Sequence, residues 1–326
     1  MEAALNSAAP DPGRSRTSAA ADGLAATVVI CAYTEQRWPL TRAAIESVLR
    51  QDPAPRQVVL VVDYNPDLAA RARRELSGMA VLENDDVPGL SGARNTGLRA
   101  ATEPVTVFLD DDAEARQGWL AALLDPYQRA DVVATGGSIH PFWPQLRPKW
   151  FPATFDWVVG CSYAGLPESV EVIRNPIGAN MSLRTALALK VGGFDSSVGR
   201  VRGKPRGCEE TELAIRLTAN SPGSSVLYVP GAAVDHHVGA DRVSVRYFVR
   251  RCWNEGLSKA TVVRLAGAGP GLERERRQVR VVIPMALLGD LRRFVRGDLG
   301  AGSRMVVAVC GLMATVAGYV AGRTVV

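Results

Sequence analysis

Short, unbroken apolar runs recur along the first two thirds of the chain and are separated by stretches with helical periodicity. The first three long runs cover residues 25–32, 57–63 and 104–110. None of them alternates apolar and polar positions, so each is typical of a strand buried on both faces. Helices are predicted up to about residue 50, at 67–77 and at 89–101. Strands that alternate with helices predict an α/β fold with a Rossmann-like, mainly parallel sheet.

The pattern divides the chain into three predicted parts. Residues 1–24 are rich in Ala, Ser and Pro and have no apolar block, which predicts a disordered leader rather than a secretory signal. Residues 25–238 continue the α/β alternation and form one predicted domain. Further elements are predicted in it as a helix at 115–130, strands at 131–135 and 225–229, and a helix from 209. Residues 239–326 are predicted to be helical.

The predicted helical region combines apolar and basic positions. Its apolar stripe is Leu287, Leu288, Leu291, Phe294 and Val295, with Arg292, Arg293 and Arg296 beside it. This combination is typical of a helix at a membrane surface. Residues 305–322 are 18 positions without a charge. As a helix they would reach about 27 Å, slightly less than a hydrocarbon core of roughly 30 Å. The helix could therefore span a membrane, dip into it or pack on the catalytic domain.

Composition narrows the class of protein. The 326 residues carry a net charge of +5, which is too modest to predict nucleic-acid binding. The five cysteines are odd in number and include no C-x-x-C pair, so the sequence predicts neither a disulfide framework nor a zinc site. A cytoplasmic, enzyme-sized protein fits these numbers.

Carboxylates follow two of the predicted strands. Asp110, Asp111 and Asp112 end the run at 104–110, and Asp63 ends the second run. Ligands of open α/β sheets bind at the carboxyl ends of strands, and adjacent carboxylates repel one another unless a cation or proton separates them. A divalent ion such as Mg²⁺ or Mn²⁺ is therefore predicted at the acidic triplet, with a solvated acidic turn as the alternative. Asp63 could bind a base or ribose, or cap the next turn.

Other candidates are ambiguous by themselves. Arg94 opens a glycine-rich helix that is neither G-x-G-x-x-G nor a P-loop, and it suits either a phosphate or a structural partner. Glu209 and Glu210 begin a helix, where acids are also the ordinary choice for stability. The adjacent His236 and His237 follow a strand, which leaves metal binding and a structural role equally open.

Aromatic residues concentrate in a proline-rich segment at 139–167, which includes Trp143, Trp150 and Trp157. Such a segment is predicted to form a wall for a sugar or lipid substrate, with a second small core as the alternative.

Taken in order, these pieces resemble a family 2 glycosyltransferase of bacterial type with the glycosyltransferase-A fold and a C-terminal helical extension. The resemblance covers residues 25–238. It is carried by the strands ending at 32–35 and at Asp63, by Gly-Ala-Arg-Asn-Thr-Gly at 92–97, by the D-x-D at 110–112, by Glu-Glu-Thr-Glu-Leu at 209–213 and by the late histidine His236. Each motif is common alone, but together they stand in the family's order.

The resemblance implies roles for single residues. Donor binding is implied for Ala32, Tyr33, Glu35, Asp63, Arg94, Asp110 and Asp111. The implied metal ligands are Asp112, Asp110 and His236, with Asp110 nearer the ribose. Glu210 is the implied catalytic base, with Glu209 beside it, although the family usually has Asp at that position. The acceptor side is predicted to include Trp143, Trp150, Trp157 and Asn180.

The implied activity is metal-dependent, inverting transfer of a sugar from a nucleotide-sugar donor, with UDP-sugars favoured, to an acceptor hydroxyl. Cell-envelope polysaccharide, glycolipid and secondary-metabolite acceptors fit, and a lipid-linked acceptor would place the protein at the inner face of the plasma membrane. A nucleotidyltransferase is the first alternative, but the sequence after the first strand, Ala-Tyr-Thr-Glu at 32–35, lacks the expected glycine-rich, lysine-bearing loop. A non-catalytic carbohydrate-binding protein is the second.

Overall fold

The computed structural model describes residues 24–196, 207–266 and 273–324, so the predicted leader lies almost wholly outside the described residues. Within these ranges one mixed sheet forms, with the strand order β3-β2-β1-β4-β8-β6-β9-β5 and with β7 paired to β9. Its strands are β1 (Ala26–Ala32), β2 (Gln57–Val62), β3 (Ala80–Glu83), β4 (Val105–Asp110), β5 (Ala113–Ala115), β6 (Val132–Phe142), β7 (Glu171–Ile173), β8 (Asn180–Arg184) and β9 (Ser225–His237).

The helices flank this sheet and extend beyond it. They are α1 (Trp38–Leu49), α2 (Pro66–Glu75), α3 (Leu90–Ala100), α4 (Trp119–Leu124), α5 (Thr185–Lys190), α6 (Glu209–Ala219), α7 (Val245–Ala266), α8 (Glu273–Arg277), α9 (Ile283–Val295) and α10 (Leu299–Thr324). A π-helical turn, Gln278–Val282, joins α8 to α9. The α/β prediction is confirmed.

The first half of the sheet is parallel, as predicted. Strand β1 lies in its centre, with Cys31 opposite Val61 of β2 and opposite Asp110 of β4. Because these strands run the same way, their carboxyl ends meet at one edge. The acids that follow β2 and β4 therefore share that edge, which is where ligands of such sheets bind.

The second half of the sheet departs from the mainly parallel prediction. Strand β8 runs antiparallel to both β4 and β6, and β5 and β7 run antiparallel to β9. Strand β6 runs in the same direction as β4, and β8 begins at their carboxyl edge with Asn180 opposite Leu109, so β8 runs back between them. The sequence did not predict β8, because Asn-Met-Ser-Leu-Arg at 180–184 lacks an unbroken apolar run.

Two further boundaries differ from the prediction. The helix predicted at 115–130 is shorter, because β5 precedes it, α4 ends at Leu124 and a 3₁₀ turn, Asp125–Gln128, follows. Strands β6 and β9 extend beyond their predicted ends, and their parallel pairing contains register shifts near Val132 and Gly137. A glycine and a proline within these strands suggested early ends, but bulges accommodate them.

The unbroken apolar runs are explained by packing on both sheet faces. In β1, Val28 and Ile30 join one core with α1 and α4, while Val29 joins a second core with residues of α3 and α6. All three side chains are fully buried. The sheet is therefore a rigid platform covered on both sides, and its carboxyl edge is left for the site.

The C-terminal helices pack through small residues. A Cβ atom built on Gly256 of α7 would lie 2.1 Å from the carbonyl oxygen of Thr315, and one on Gly318 of α10 would lie 2.1 Å from that of Trp253. The two helix backbones thus touch. Within the described ranges, Leu299–Thr324 is the one helix long and apolar enough to cross a membrane, and 28% of its apolar window is buried.

Candidate active site

The pairing of β5 with β9 assembles the acidic triplet with a histidine. Strand β4 ends at Asp110, and after a two-residue turn β5 pairs antiparallel with β9, which places Ala113 opposite His236. The N–H of His237 donates to the carbonyl oxygen of Asp112 at 2.8 Å. This register puts the buried His236 ring beside the Asp112 carboxylate, with Nε2 3.2 Å from Oδ1.

Asp110, Asp112 and His236 form a candidate metal site. One ligand atom from each of them lies within 4.8 Å of the others. Two carboxylates and an imidazole suit a divalent ion such as Mn²⁺ or Mg²⁺, so the donor set fits the predicted metal. The His237 ring instead lies 5.9 Å from the Phe142 ring. The geometry therefore distinguishes between the adjacent histidines in favour of His236.

Two arginines that sequence reasoning missed contact the same acids. Arg37 lies 3.0 Å from Asp112 Oδ2 and 3.2 Å from Asp111 Oδ1, and Arg242 lies 3.5 Å from Asp112 Oδ2. Burial alone would raise the pKa of Asp112, but His236 and the arginines hold it well below its usual range. Burial and the Asp112 charge raise the pKa of Asp111 to about 7. Neither arginine lies in a motif, and only the tertiary fold brings them here.

Asp111 also has an unpaired atom. Its Oδ2 is buried and has no hydrogen-bond partner within the described part of the chain. An unpaired buried carboxylate oxygen is costly, so it marks a place where a cation or a hydrogen-bond donor from a ligand would be stabilised.

Arg94 connects the two acidic motifs. Its side chain is buried, and its guanidinium lies 3.3 Å from Asp110 Oδ1 and 3.3 Å from Glu209 Oε1, and donates to the carbonyl oxygen of Gly178 at 3.0 Å. A Cβ at Gly178 would lie 2.8 Å from a guanidinium nitrogen of Arg94, so a larger residue there would require the guanidinium to shift. Of the two predicted roles, these contacts support that of a structural partner for the acids.

Glu209 and Glu210 differ in their surroundings. Helix α6 begins at Glu209 after Cys208, whose φ is +106°. Both glutamates line a cavity, but Glu209 is buried and paired with Arg94, whereas Glu210 is only half-buried. Burial and the neighbouring Glu209 raise the pKa of Glu210 to about 7. Glu210 is therefore poised to take up a proton near neutral pH.

The predicted donor-binding residues cluster at the ends of β1 and β2. Asp63 accepts hydrogen bonds from the N–H of Gly89 at 3.0 Å and from Asn84 Nδ2 at 2.6 Å. Ala32 is buried, whereas Tyr33 has 54% of its surface exposed. Glu35 is exposed and lies 3.9 Å from Arg71. All four predicted residues lie at the carboxyl edge of the sheet, and Asn84 is a contact that the sequence did not indicate.

A cavity of about 270 Å³ opens from Asp110 and Glu210 towards the C-terminal helices. Trp157 lines it, as predicted for the acceptor side. Trp143 and Trp150 instead pack on Phe151, with ring centroids 5.4 Å away in each case. These two tryptophans pack on the large core that also contains Val28 and Ile30, so they have a packing role and form no separate small core.

Asn180 also departs from the predicted acceptor role. Its side chain is fully buried; it accepts from Trp119 Nε1 at 2.8 Å and donates to the carbonyl oxygens of Ser138 and Ala232 at 3.0 and 2.8 Å. With its amide used in this way, Asn180 ties β8 to β6 and β9.

A parallel sheet half with acids at its carboxyl edge, a D-x-D beside a histidine and a facing glutamate together define a glycosyltransferase of the GT-A class. Comparison with known proteins agrees. Residues 27–187 match the family described as Glycosyl transferase family 2. A glucosyl-dolichyl phosphate glucuronosyltransferase from Haloferax volcanii is 35% identical over 237 residues, which cover 72% of this chain and 75% of that protein. The chain belongs to glycosyltransferase family 2.

Solved structures show the same fold at low sequence identity. A mannosyltransferase from Pyrobaculum calidifontis, in complex with GDP-Man and Mn²⁺, superposes with a TM-score of 0.59 and 18% identity, over 92% of this chain and 87% of that one. GalNAc-T7 with UDP, GalNAc and Mn²⁺ gives a TM-score of 0.53 and 18% identity, over 79% and 54% of the respective chains. The predicted family and fold are confirmed, and with them the choice of a glycosyltransferase over a nucleotidyltransferase or a non-catalytic binding protein.

Proposed function

We propose that this glycosyltransferase is metal-dependent and inverting, and moves a sugar from a nucleotide-sugar, with UDP-sugars favoured, to a hydroxyl of a lipid-linked acceptor. The observation that carries the proposal is the single cavity that has both Asp110 and Glu210 in its wall. A donor diphosphate beside Asp110 and an acceptor hydroxyl beside Glu210 would then meet in one enclosed space. The named specificity of the Haloferax volcanii relative supports a lipid phosphate in the acceptor.

The donor side would be held by residues at the carboxyl edge. Asp63 and Tyr33 would contact the nucleoside, and Asp110 the ribose. Asp112, Asp110 and His236 would hold a divalent ion, which, when bound, stabilises the charge that develops on the diphosphate. Both solved neighbours were obtained with Mn²⁺, which supports the choice of ion.

The acceptor side would be served by Glu210. Its carboxylate accepts the proton of the acceptor hydroxyl while that oxygen forms the new bond to the anomeric carbon. The bond from the anomeric carbon to the diphosphate oxygen breaks, and the diphosphate leaves with the electron pair. Attack from the side opposite the leaving group inverts the anomeric centre.

We further propose that residues 25–238 are the catalytic unit and that residues 239–326 bring it to the inner face of a membrane. The exposed apolar residues of α10, which recur at spacings of three and four, are Val306, Val309, Met313, Val316 and Val320. On α9, Leu288, Leu291 and Phe294 are also exposed. A lipid surface would cover both sets, and the arginines beside them would attract anionic headgroups.

The test is thermal stabilisation of the purified protein by a panel of nucleotide-sugars, with and without Mn²⁺. The matching donor should raise the unfolding midpoint only with the metal, since binding to the folded state stabilises it. The variant Asp112→Asn should lose the metal-dependent part of this shift. Asp67→Asn, at an exposed position in α2, is the matched control and should behave as wild type. Equal stabilisation in EDTA would contradict the metal assignment.

A further inference from the structure

The cavity beside Glu210 has a second charged end, formed by the C-terminal helices. Lys259 Nζ lies 2.7 Å from Glu275 Oε1 and 3.2 Å from Glu255 Oε1. Arg251 lies 3.1 Å from Glu255 Oε2, and Arg174 lies 3.1 Å from Glu275 Oε1. Three cations thus face two carboxylates in this cluster, while Asp110, Glu209 and Glu210 line the other end of the same cavity.

This cluster faces the cavity. Its members line the cavity wall, and the side chains of Arg251, Glu255 and Lys259 keep 19%, 18% and 16% of their surface exposed. A charged group in a partly desolvated space attracts a mobile charge of the opposite sign more strongly than it would in water. The three cations of the cluster would therefore attract an anion that enters the cavity.

The cluster is electrostatically linked to the catalytic end. Burial opposes the charge on Arg251, whereas the carboxylates of Glu255 and, more weakly, Glu210 raise its pKa. The elements are also in direct contact, since the N–H of Gly207, just before α6, donates to Ser258 Oγ of α7 at 3.4 Å. A ligand bound to the cluster would therefore lie close to Glu210.

Part of the remaining wall beside the cluster is apolar, while Gln278 and Thr315 also line it. Val279 and Ile283 contribute to it from the π-helical turn and α9, and Leu312 contributes from α10. These helices continue into the exposed apolar residues already described. The cavity thus joins an acidic catalytic end, a cationic cluster and an apolar wall, in an arrangement that suits a sugar, a phosphate and a lipid chain.

We propose that Arg251, Lys259 and Arg174 bind the phosphate of the acceptor, which joins its sugar to its lipid chain. The sugar hydroxyl would then face Glu210 and the lipid would follow Leu312 along α10. This inference rests on the proposed function and extends it by assigning the phosphate a site away from Asp110 and Asp112.

The experiment measures binding of decyl phosphate, below its micelle concentration, by tryptophan fluorescence or calorimetry. Decyl glucoside is the uncharged comparison ligand. Wild type should bind the phosphate more tightly than the glucoside. Arg251→Gln removes a positive charge from the cluster and should weaken phosphate binding about tenfold, whereas Glu255→Gln removes a negative charge and should strengthen it by a similar factor. Arg246→Gln, at an exposed position of the same helix, should change neither.

Opposite effects of Arg251→Gln and Glu255→Gln on phosphate affinity would distinguish ligand binding from a network that only holds the helices together. If the charges only hold the helices together, both substitutions weaken binding and lower the unfolding midpoint, which would overturn the proposal. Should Glu255→Gln fail to fold, Glu275→Gln makes the same change of charge and carries the same expectation. Equal affinity of wild type for decyl phosphate and decyl glucoside would also overturn it.

The binding assay needs no sugar transfer, so it separates this inference from the proposed function. Selective phosphate binding in a protein that transfers no sugar to any lipid-linked acceptor would contradict the proposed function and leave the phosphate site standing. Transfer to lipid-linked acceptors with equal efficiency whether or not they carry a phosphate would contradict the site alone.

Discussion

Glu210 shows how neighbouring residues of the same type can acquire different chemistry. The buried Glu209 is paired with Arg94 at 3.3 Å, whereas Glu210 is only half-buried in the wall of the cavity. We expect Glu210→Gln to lower turnover by about 10² to 10⁴, the usual contribution of a positioned general base, and to leave donor affinity nearly unchanged. Steady-state kinetics and donor calorimetry on the same preparation measure both quantities.

The matched comparison is Glu209→Gln. Because the Glu209 carboxylate is paired with Arg94, the substitution should lower the unfolding midpoint and the acceptor affinity more than it lowers the rate of the chemical step. If Glu210→Gln kept wild-type turnover while Glu209→Gln lost it, Glu209 rather than Glu210 would be the catalytic base.

The pKa of Glu210 sets a pH dependence. Only the carboxylate can accept a proton, so kcat/KM should rise with pH and level off above about 7, where burial and Glu209 place the pKa of Glu210. A pH profile of the wild type measures this rise, and Glu210→Gln should flatten it. A wild-type profile that falls between pH 6 and about 8 would have the wrong sign for a general base.

At the scale of elements, the crossing of α7 and α10 depends on glycine. A Cβ at Gly318 would lie 2.1 Å from a backbone oxygen of α7, and a backbone atom cannot move aside as a side chain can. Gly318→Ala should therefore lower the free energy of unfolding by about 1 to 3 kcal/mol through overpacking. Urea denaturation with intrinsic fluorescence measures the change.

Gly289→Ala is the control for helix propensity. A Cβ at Gly289 of α9 would meet nothing within 4 Å, so this substitution should be neutral or should stabilise by up to about 1 kcal/mol. Equal effects of the two substitutions would show that close packing does not determine the outcome at Gly318.

The elements also show what the sequence could and could not predict. The runs ending at Asp63 and Asp110 predicted strands and a shared edge, because burial on both faces leaves an unmistakable apolar signal. The antiparallel strand β8 was not predicted, because Asn-Met-Ser-Leu-Arg at 180–184 lacks an unbroken apolar run. The contacts of Arg37 and Arg242 with Asp112 arise from long-range folding and have no local signature.

The same limit applies to the aromatic segment. The sequence did not distinguish Trp143 and Trp150, which pack on Phe151, from Trp157, which lines the cavity. Asp112 and His236, which were identified from motifs in the family's order, lie close together as expected. Motif order indicates which residues share a site, whereas composition does not.

At the scale of the whole molecule, the C-terminal helices should bind lipid. We expect the full-length protein to co-sediment with vesicles of phosphatidylglycerol more strongly than with vesicles of phosphatidylcholine, because exposed arginines accompany the apolar residues of α9. High salt should reduce the part of binding that depends on charge. Binding that persists in salt would indicate insertion of α10.

The matched variant replaces Arg292, Arg293 and Arg296 with Gln and leaves the apolar residues in place. It should lose the preference for phosphatidylglycerol and keep the binding that persists in salt. A wild-type protein that stays in the supernatant with both lipids would favour α10 as a helix that serves only packing.

The contact between Gly207 and Ser258 connects the helix that carries Glu210 to the helix that carries the proposed phosphate site. It fixes the start of α6, and with it Glu210, against α7, which carries Arg251 and Lys259. With a phosphate bound as proposed, the span to Glu210 is set by packed helices rather than by a flexible loop. Each transfer lengthens the acceptor by one sugar and moves its new terminal hydroxyl beyond that span. We therefore expect the enzyme to add one sugar to each acceptor and then release it.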